Sequence, residues 1–452
     1  MCSLTEKYNV PGPRYTSYPT VPYWDVTNFS GKKWKESVIQ SFNESEKEGI
    51  SVYIHLPFCE SMCTFCGCHK RITKRHEVEQ PYIKAVVKEW SLYIKLFGKK
   101  PLVKEVHLGG GTPTFFSPEN LTLLMKGIFA HARLANDAVL SFEGHPNNTT
   151  EEHLKALYHV GFRRVCFGVQ DYNETVQKAI NRVQPFENVQ FVTEKAREIG
   201  YTSIGHDIIY GLPFQTVEDV KNSIVKTNDL RPDRIAFYSY AHVPWRKGNG
   251  QRGYNEADLP SIEDKKLQYE IGKQWLLAMG YKDIGMDHFA TGSDALYHAS
   301  KNGTLHRNFM GYTASKTQLM IGLGVSSISD SWYAFAQNVK NIEEYQNLIA
   351  HDIIPVYRGH HLTDEDETIR KHILNLMCRF QTSWNIDHLD KEDMRHCMNQ
   401  LRELKEDGLV EIGANHIKVT EKGKPFIRNI SMAFDLKLHR KQPETRLFSM
   451  TV

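Results

Sequence analysis

The sequence predicts an α/β protein built on an open, partial (β/α)6 barrel, with an N-terminal arm and a mostly helical, winged-helix-like C-terminal domain. From about residue 47 to residue 280, short apolar runs alternate with amphipathic stretches of helical length, the pattern of parallel β-α-β units with right-handed crossovers. Six such runs occur, too few for the closed eight-stranded barrel. Further on, helical periodicity over 364–406 leads into a β-hairpin. At 452 residues the chain exceeds what one core usually serves, so a large and a smaller unit are expected.

Residues 1–46 read as an arm. The stretch Val10-Pro11-Gly12-Pro13-Arg14-Tyr15-Thr16-Ser17-Tyr18-Pro19 is too rich in Pro and Gly for a helix. Two readings stand level: a surface wrap, and a lid that offers Arg14 and the tyrosines to a substrate. The core barrel spans 47–280. Its strands fall at 51–56, 103–108, 138–143, 164–168, 203–209 and 234–240. Its helices fall at 77–97, 118–133, 150–160, a pair over 173–199, 216–228 and 262–279. Ligands of such a sheet lie at the carboxyl ends of the strands. A loop-rich extension, 281–350, carries many Gly, His and Asn residues and is expected to complete the active site. Residues 351–452 form the helical C-terminal domain, whose lack of a basic face favours a cap over the barrel rather than a nucleic-acid reader.

A formal net charge of +3, with 24% charged residues, is close to balanced and implies no polyanionic partner. No run of 18 apolar residues and no N-terminal signal pattern occurs, so a soluble, cytoplasmic protein is expected, monomeric by default. Of the eight cysteines, Cys59, Cys63, Cys66 and Cys68 crowd into ten residues, which in a long chain without a signal points to metal rather than disulfides. Cys2, Cys166, Cys378 and Cys397 read as buried small hydrophobes.

The spacing Cys59-x-x-x-Cys63-x-x-Cys66 follows the first strand. Three thiolates can hold three irons of a four-iron cluster and leave the fourth open to a small molecule. Structural zinc instead takes four ligands, usually as two separated pairs, and Cys68 lies too close to Cys66 to complete a tetrahedron easily. The second strand ends in Gly109-Gly110-Gly111-Thr112-Pro113, where side-chain-free residues let backbone approach a ligand. Glu143 ends the third strand, placed to hold an ammonium or ribose hydroxyls. Gln170, Arg182 and Asp207, from successive barrel segments, offer a polar trio that could fix a ligand.

The cysteine spacing, with Phe65 before the third Cys, is similar to the signature of the radical S-adenosylmethionine superfamily. That resemblance implies a [4Fe-4S] cluster whose open iron is chelated by S-adenosylmethionine, and a 5′-deoxyadenosyl radical that abstracts hydrogen. A closer resemblance is to the oxygen-independent coproporphyrinogen III oxidases (coproporphyrinogen dehydrogenases). It is carried by Tyr53-Ile54-His55-Leu56-Pro57-Phe58-Cys59 with Cys66-Gly67-Cys68, by Gly168-Val169-Gln170-Asp171 and by Asn181-Arg182. It extends through Asp207-Ile208-Ile209-Tyr210-Gly211-Leu212-Pro213, Tyr240-Ala241-His242, Gly285-Met286-Asp287-His288-Phe289-Ala290 and His306-Arg307-Asn308-Phe309-x-Gly311-Tyr312-Thr313. The arm Lys7-Tyr8-Asn9-Val10-Pro11-Gly12-Pro13-Arg14-Tyr15 and the tail Arg428-Asn429-Ile430 carry it across nearly the whole chain.

This resemblance implies that two propionates of coproporphyrinogen III lose their carboxyl groups as carbon dioxide and become vinyls, giving protoporphyrinogen IX in haem biosynthesis. It implies two S-adenosylmethionine molecules. Tyr53, Gly110, Glu143, Ala241 and Ile328 would contact the one on the cluster; Phe65, Gly111, Thr112, Gln170, Arg182 and Asp207 would contact the second. Catalytic roles fall on Cys59, Cys63, Cys66, Tyr53 and Glu143. The substrate has four carboxylates, which arginine binds bidentately. Arg14, Arg182 and Arg307 are the candidates, with His288 and His306 as further contacts. An external electron donor and acceptor are required and not identified. One departure is Gly144-His145-Pro146, where many relatives carry an aliphatic residue and an acid. Competing readings are a haem chaperone of the same fold, a haem-degrading radical enzyme, and a zinc-binding interaction module. Cys68, Arg182, Arg307, the arm and the C-terminal half favour the oxidase. The stretch 245–254 reads as a loop at the barrel mouth.

Overall fold

Six strands lie side by side in chain order in a computed structural model of the protein, which describes residues 4–245, 250–384, 391–445 and 447–451. They are β1 (Ile50–Leu56), β2 (Leu102–Gly110), β3 (Arg133–Gly144), β4 (Arg164–Gln170), β5 (Ser203–Tyr210) and β6 (Arg234–Ser239), all parallel. The six expected strands are therefore present. The third begins earlier than its apolar run, because Arg133 and Leu134 pair with Leu102 and Val103 and the preceding helix stops at Phe129. Crossover helices start where a hydroxyl caps the first turn. Ser117, Thr150, Thr216 and Ser261 accept from the backbone N–H of Asn120, His153, Asp219 and Asp264.

The pleat sorts the two faces of the sheet. Val52, Ile54, Val106, Leu108, Phe142, Val165, Phe167, Ile204 and Ile208 are at most 2% exposed beneath the helices. The alternate residues face the concave side. Tyr53 pairs with His107, His107 with Ser141, Glu143 with Cys166, and Gly168 with Asp207. One face is thus a hydrophobic core and the other a polar bowl.

The loop-rich reading of the extension is corrected by the sheet itself, which has twelve strands. β7 (Lys282–Gly285) and β8 (His288–Ala290) extend it antiparallel beyond β6. β9 (Met320–Leu323) lies parallel to β1 on the other side, and β10 (Ile328–Asp330), β11 (Ala334–Asn338) and β12 (Val356–His361) follow antiparallel. These runs are too short and too rich in Gly, Ser and Asn for local propensity to mark them; pairing with β1 and β6 makes them strands. β12, in the stretch read as the start of the C-terminal domain, is an edge strand of this sheet.

The N-terminal segment is more than an arm. Its helix Gly31–Glu44 buries Trp34, Val38 and Phe42 in the core against β11 and β12. Tyr8, Tyr15 and Tyr18 are buried in the C-terminal core, and Tyr15 Oη donates to Asp435 Oδ2 at 3.0 Å. The tyrosines are therefore packing residues, and the lid that would offer them to a substrate is corrected. In the C-terminal unit, helix Asp364–Arg379, strand Gln381–Ser383, helix Lys391–Glu406 and the hairpin Val410–Ile412/His416–Val419 follow in the expected winged-helix-like order. The helical stretch expected over 385–390, and residues 246–249 of the expected mouth loop, lie outside the described residues. Among the described residues no helix is long and apolar enough to cross a membrane.

Candidate active site

The cysteine loop leaves β1 through Pro57. Phe58–Cys59 pairs with Arg71–Ile72, so the intervening loop closes on itself above the bowl. The segment after β4 holds it from the side. Thr64 N–H and Oγ1 donate to the carbonyls of Ile180 and Ala179 at 2.9 and 3.0 Å, and Asn181 Nδ2 donates to the Met62 carbonyl at 2.7 Å. Below the loop lies a cavity of about 280 Å³. Cys59, Cys63, Cys66 and Cys68 line its roof; Gly110, Gly111, Thr112, Glu143, Gln170, Arg182 and Asp207 come to it from four consecutive strand ends, and Phe65 borders it.

The thiols suit a cluster. Cys59, Cys63 and Cys66 line one cavity together, the donor set of a cluster that keeps one iron open. Thr112 Oγ1 donates to Cys59 Sγ at 3.3 Å, and Arg182 Nη1 lies 3.9 Å from Cys63 Sγ. Burial pushes the Cys59 thiol up to about 11 and also raises Cys63, against the pull of the Arg182 cation. The Cys68 thiol's hydrogen bond lowers Cys66, aided by Lys70. Lys70 Nζ also donates to the carbonyls of Cys66 and Cys68 at 3.1 and 3.3 Å.

The glycine run serves two ends. A Cβ on Gly111 would lie 2.7 Å from the Pro57 carbonyl oxygen and 2.9 Å from that of Phe58, so this glycine lets β2 dock against the cysteine loop. Gly110, at φ +122°, occupies backbone space closed to side chains, and its N–H donates to Glu143 Oε2 at 3.3 Å. His107 Nε2 lies 3.5 Å from Glu143 Oε1. Although its surroundings desolvate it, His107 and the Gly110 N–H hold Glu143 below the usual carboxylate range. Its side chain remains 49% exposed, available to a cationic group.

On the opposite wall, Gln170 takes φ +70° and turns into the cavity. Arg182 Nη2 donates to the Gly168 carbonyl at 2.5 Å, while its buried Nε has no partner among the described residues, a donor left for a polar ligand. A Cβ on Gly168 would meet Gln170 Nε2 at 2.6 Å and Arg182 Nη2 at 2.8 Å, so this glycine makes room for both. Burial, then the proximity of Glu143, raises Asp207 to about 7. The thiol donors, an anion flanked by backbone N–H, and this orphaned guanidinium together fit a cluster beside an amino-acid-bearing nucleoside.

Several expected residues stand apart. Tyr53 lies behind Gly109, with its ring stacked on His107 at 6.0 Å. Ala241 follows β6 with its carbonyl accepting from Gln251, and Ile328 begins β10. Neither Ala241 nor Ile328 borders the cavity. Arg14 pairs with Asp287 at the rim, over the Tyr238 ring. Arg307 donates to the carbonyls of Tyr15 and Arg14 at 3.3 and 3.2 Å, which makes it a clamp on the arm. His288 faces Tyr238 Oη at 3.4 Å, and burial lowers both His288 and His306 to about 3. None of these four residues reaches the cavity.

The sequence reading missed Cys166 and His107 and left His145 without a role. Cys166 lines the cavity and donates to Asp207 Oδ1 at 3.2 Å, while Cys378 and Cys397 are buried as expected. The signal was the pleat: Cys166 stands two before Gly168 and His107 two before Gly109, on the inward face. His145 also borders the cavity; burial and the Arg182 cation keep its ring neutral, and its Nδ1 accepts from Asn147 N–H at 3.2 Å.

A three-cysteine loop above a partial barrel defines a radical S-adenosylmethionine enzyme, and the model of the radical SAM superfamily matches residues 53–225. The likeness runs further. The chain is 37% identical over 448 residues to the oxygen-independent coproporphyrinogen III oxidase of Escherichia coli, covering 97% of this chain and 96% of that one. It is 38% identical over 440 residues to the same-named enzyme of Helicobacter pylori, covering 96% and 95%. It superposes on the solved structure of the Escherichia coli enzyme with a TM-score of 0.88, 36% identity, and coverage of 93% and 97%. The chain belongs to the oxygen-independent coproporphyrinogen III oxidase family.

Proposed function

We infer that the protein catalyses the anaerobic oxidative decarboxylation of two propionates of coproporphyrinogen III to vinyl groups, giving protoporphyrinogen IX. The observation that carries this is the polar ring of Glu143, Gln170, Arg182 and Asp207 beneath three cluster-type thiols, in a chain like these oxidases along its length. A bound [4Fe-4S] cluster with S-adenosylmethionine would supply the radical chemistry for hydrogen abstraction at the propionate.

The chain's own residues bind and orient. Cys59, Cys63 and Cys66 hold the cluster, with Thr112 and Arg182 as hydrogen-bond and charge partners to two of the sulfurs. Glu143, held anionic by His107 and the Gly110 N–H, would receive the ammonium of the cofactor's methionine part. Tyr53, from behind Gly109, would border that first site, with Ala241 and Ile328 as further contacts that the family resemblance implies. Phe65, Gly111, Thr112, Gln170, Arg182 and Asp207 form the place for a second S-adenosylmethionine.

Beyond the site, we propose a cytoplasmic monomer that exchanges electrons with an external donor and acceptor. Its domains would be the arm 1–46, the barrel 47–280, the extension 281–350 and the C-terminal unit 351–452. The reaction is tested anaerobically with reconstituted protein, coproporphyrinogen III, S-adenosylmethionine and a reductant. Loss of two carbon dioxide units with 5′-deoxyadenosine formed supports it. Deoxyadenosine without porphyrin change refutes the substrate and moves the assignment to another radical enzyme.

A further inference from the structure

Arg164 opens β4 and points into the bowl. Val165 and Phe167, 2% and 0% exposed, go under the helices, so Arg164, Cys166 and Gly168 take the inward face. Its neighbours across the sheet are Ser141 on β3 and Ser203 on β5, short uncharged residues that offer the guanidinium no anion. The surrounding charges are already partnered. Arg234 forms a two-point pair with Asp294, through Nε at 2.9 Å and Nη2 at 2.8 Å, and Ser203 Oγ donates to the same carboxylate at 2.8 Å. Glu105 accepts from Ser51 Oγ at 3.0 Å and Thr313 Oγ1 at 2.7 Å. The Arg164 guanidinium makes no hydrogen bond and no ion pair with any described residue, and Arg164 is half-buried rather than sealed.

A desolvated guanidinium without an anion is costly, and burial followed by the Arg234 cation lowers Arg164 to about 10, with Glu105 and Asp294 pulling the other way. A carboxylate arriving there gains a planar, two-pronged donor that no protein group uses. The position also suits a large ligand held by its side arms. Arg164 lies two residues, or about 7 Å of strand, below Cys166 in the cavity wall, within reach of a flexible acid arm descending from above.

We propose that Arg164 anchors one propionate carboxylate of the substrate inside the barrel, beneath the cysteine-lined cavity. This rests on coproporphyrinogen III being the substrate. Arg14 pairs with Asp287, and Arg307 gives Nε and one Nη to the arm backbone while its buried Nη1 stays unpartnered, so Arg164 joins them as a cation inside the bowl rather than replacing both. Arg164 is a binding residue, so its loss falls on substrate affinity more than on the chemical step.

The experiment uses the reconstituted holoenzyme. Affinity is read with coproporphyrin III, the fluorescent oxidised form of the substrate, by equilibrium titration, and KM and kcat are read with coproporphyrinogen III. Wild-type turnover tests the substrate assignment by itself; if it fails while coproporphyrin still binds through Arg164, only the reaction is wrong. Arg164→Gln is expected to weaken coproporphyrin binding by about 10- to 100-fold and to raise KM more than it lowers kcat. Arg164→Lys, which keeps the charge without the fork, is expected to fall between, and decides the matter if the Gln variant does not fold. Glu105→Gln keeps wild-type affinity if Arg164 serves the ligand rather than Glu105. Binding within twofold of wild type in both Arg164 variants overturns the proposal. So does an equal loss of affinity for a porphyrin bearing only alkyl side chains.

Discussion

Arg182 Nη1 lies 3.9 Å from Cys63 Sγ while Nη2 of the same guanidinium donates to the Gly168 carbonyl at 2.5 Å, so one side chain couples a cluster cysteine to the end of β4. The sequence reading assigned Arg182 to the second cofactor site and counted it among the candidate arginines for the substrate carboxylates. The geometry gives it two tasks, since its unpartnered Nε is left to the ligand while Nη1 faces the thiol.

Arg182→Ala is therefore expected to retain iron and to lose turnover by at least about 100-fold, the usual scale for removing a charged donor from an active site. Because a cation leaves the side of Cys63, the cluster's reduction potential also falls. Potentiometry followed by electron paramagnetic resonance checks the shift, and wild-type turnover with an unchanged potential would refute both tasks.

Cys59→Ser removes the most buried of the three cluster thiols and is expected to abolish colour, bound iron and product. Cys68→Ser is expected to keep the iron, since a hydroxyl can still donate to Cys66. Iron and sulfide analysis of anaerobically purified variants separates the two, and iron loss in the Cys68 variant would make Cys68 a ligand.

Gly111→Ala places a methyl 2.7 Å from the Pro57 carbonyl oxygen, a backbone atom that cannot swing aside. The cysteine loop must move away from β2. The expected result is a cost of roughly 1–3 kcal/mol and poor cluster incorporation; full iron loading at wild-type thermal stability would contradict the docking role.

Glu89 is buried under β9, accepting from Gly324 N–H, Asn338 Nδ2 and Tyr345 Oη at 2.8, 2.7 and 2.6 Å. Burial raises its carboxyl from 4.5 to about 7. The folded state thus favours the protonated form, so this contribution is complete below pH 4.5 and is lost as pH rises through about 7. On the order of 3 kcal/mol is at stake. Urea unfolding of wild type and Glu89→Gln between pH 4 and 8 checks this: the variant should show the flatter profile, and parallel profiles would discount Glu89.

Much of the site was legible because it is written in short, local strings. The cysteine triplet lies within one loop, and Gly110, Glu143, Gln170 and Asp207 stand at strand ends that apolar runs mark on their own. The barrel strands were legible for the same reason: each is a continuous buried run between amphipathic helices. The extension was not, because β7 to β11 are three to five residues long and owe their conformation to partners far away in the chain.

The sequence by itself determined the cluster loop, the six parallel strands and the family, since spacing and pattern carry these without reference to distant contacts. The tertiary structure alone decided which charges are free. Arg14, Arg307 and Arg164 look alike in a string of letters, but Asp287 pairs with the first, the arm carbonyls take two donors of the second and tie it to the N-terminal segment, and the pleat turns the third inward. A cation's availability depends on what its neighbours in space have already paired with, and those neighbours are set by folding.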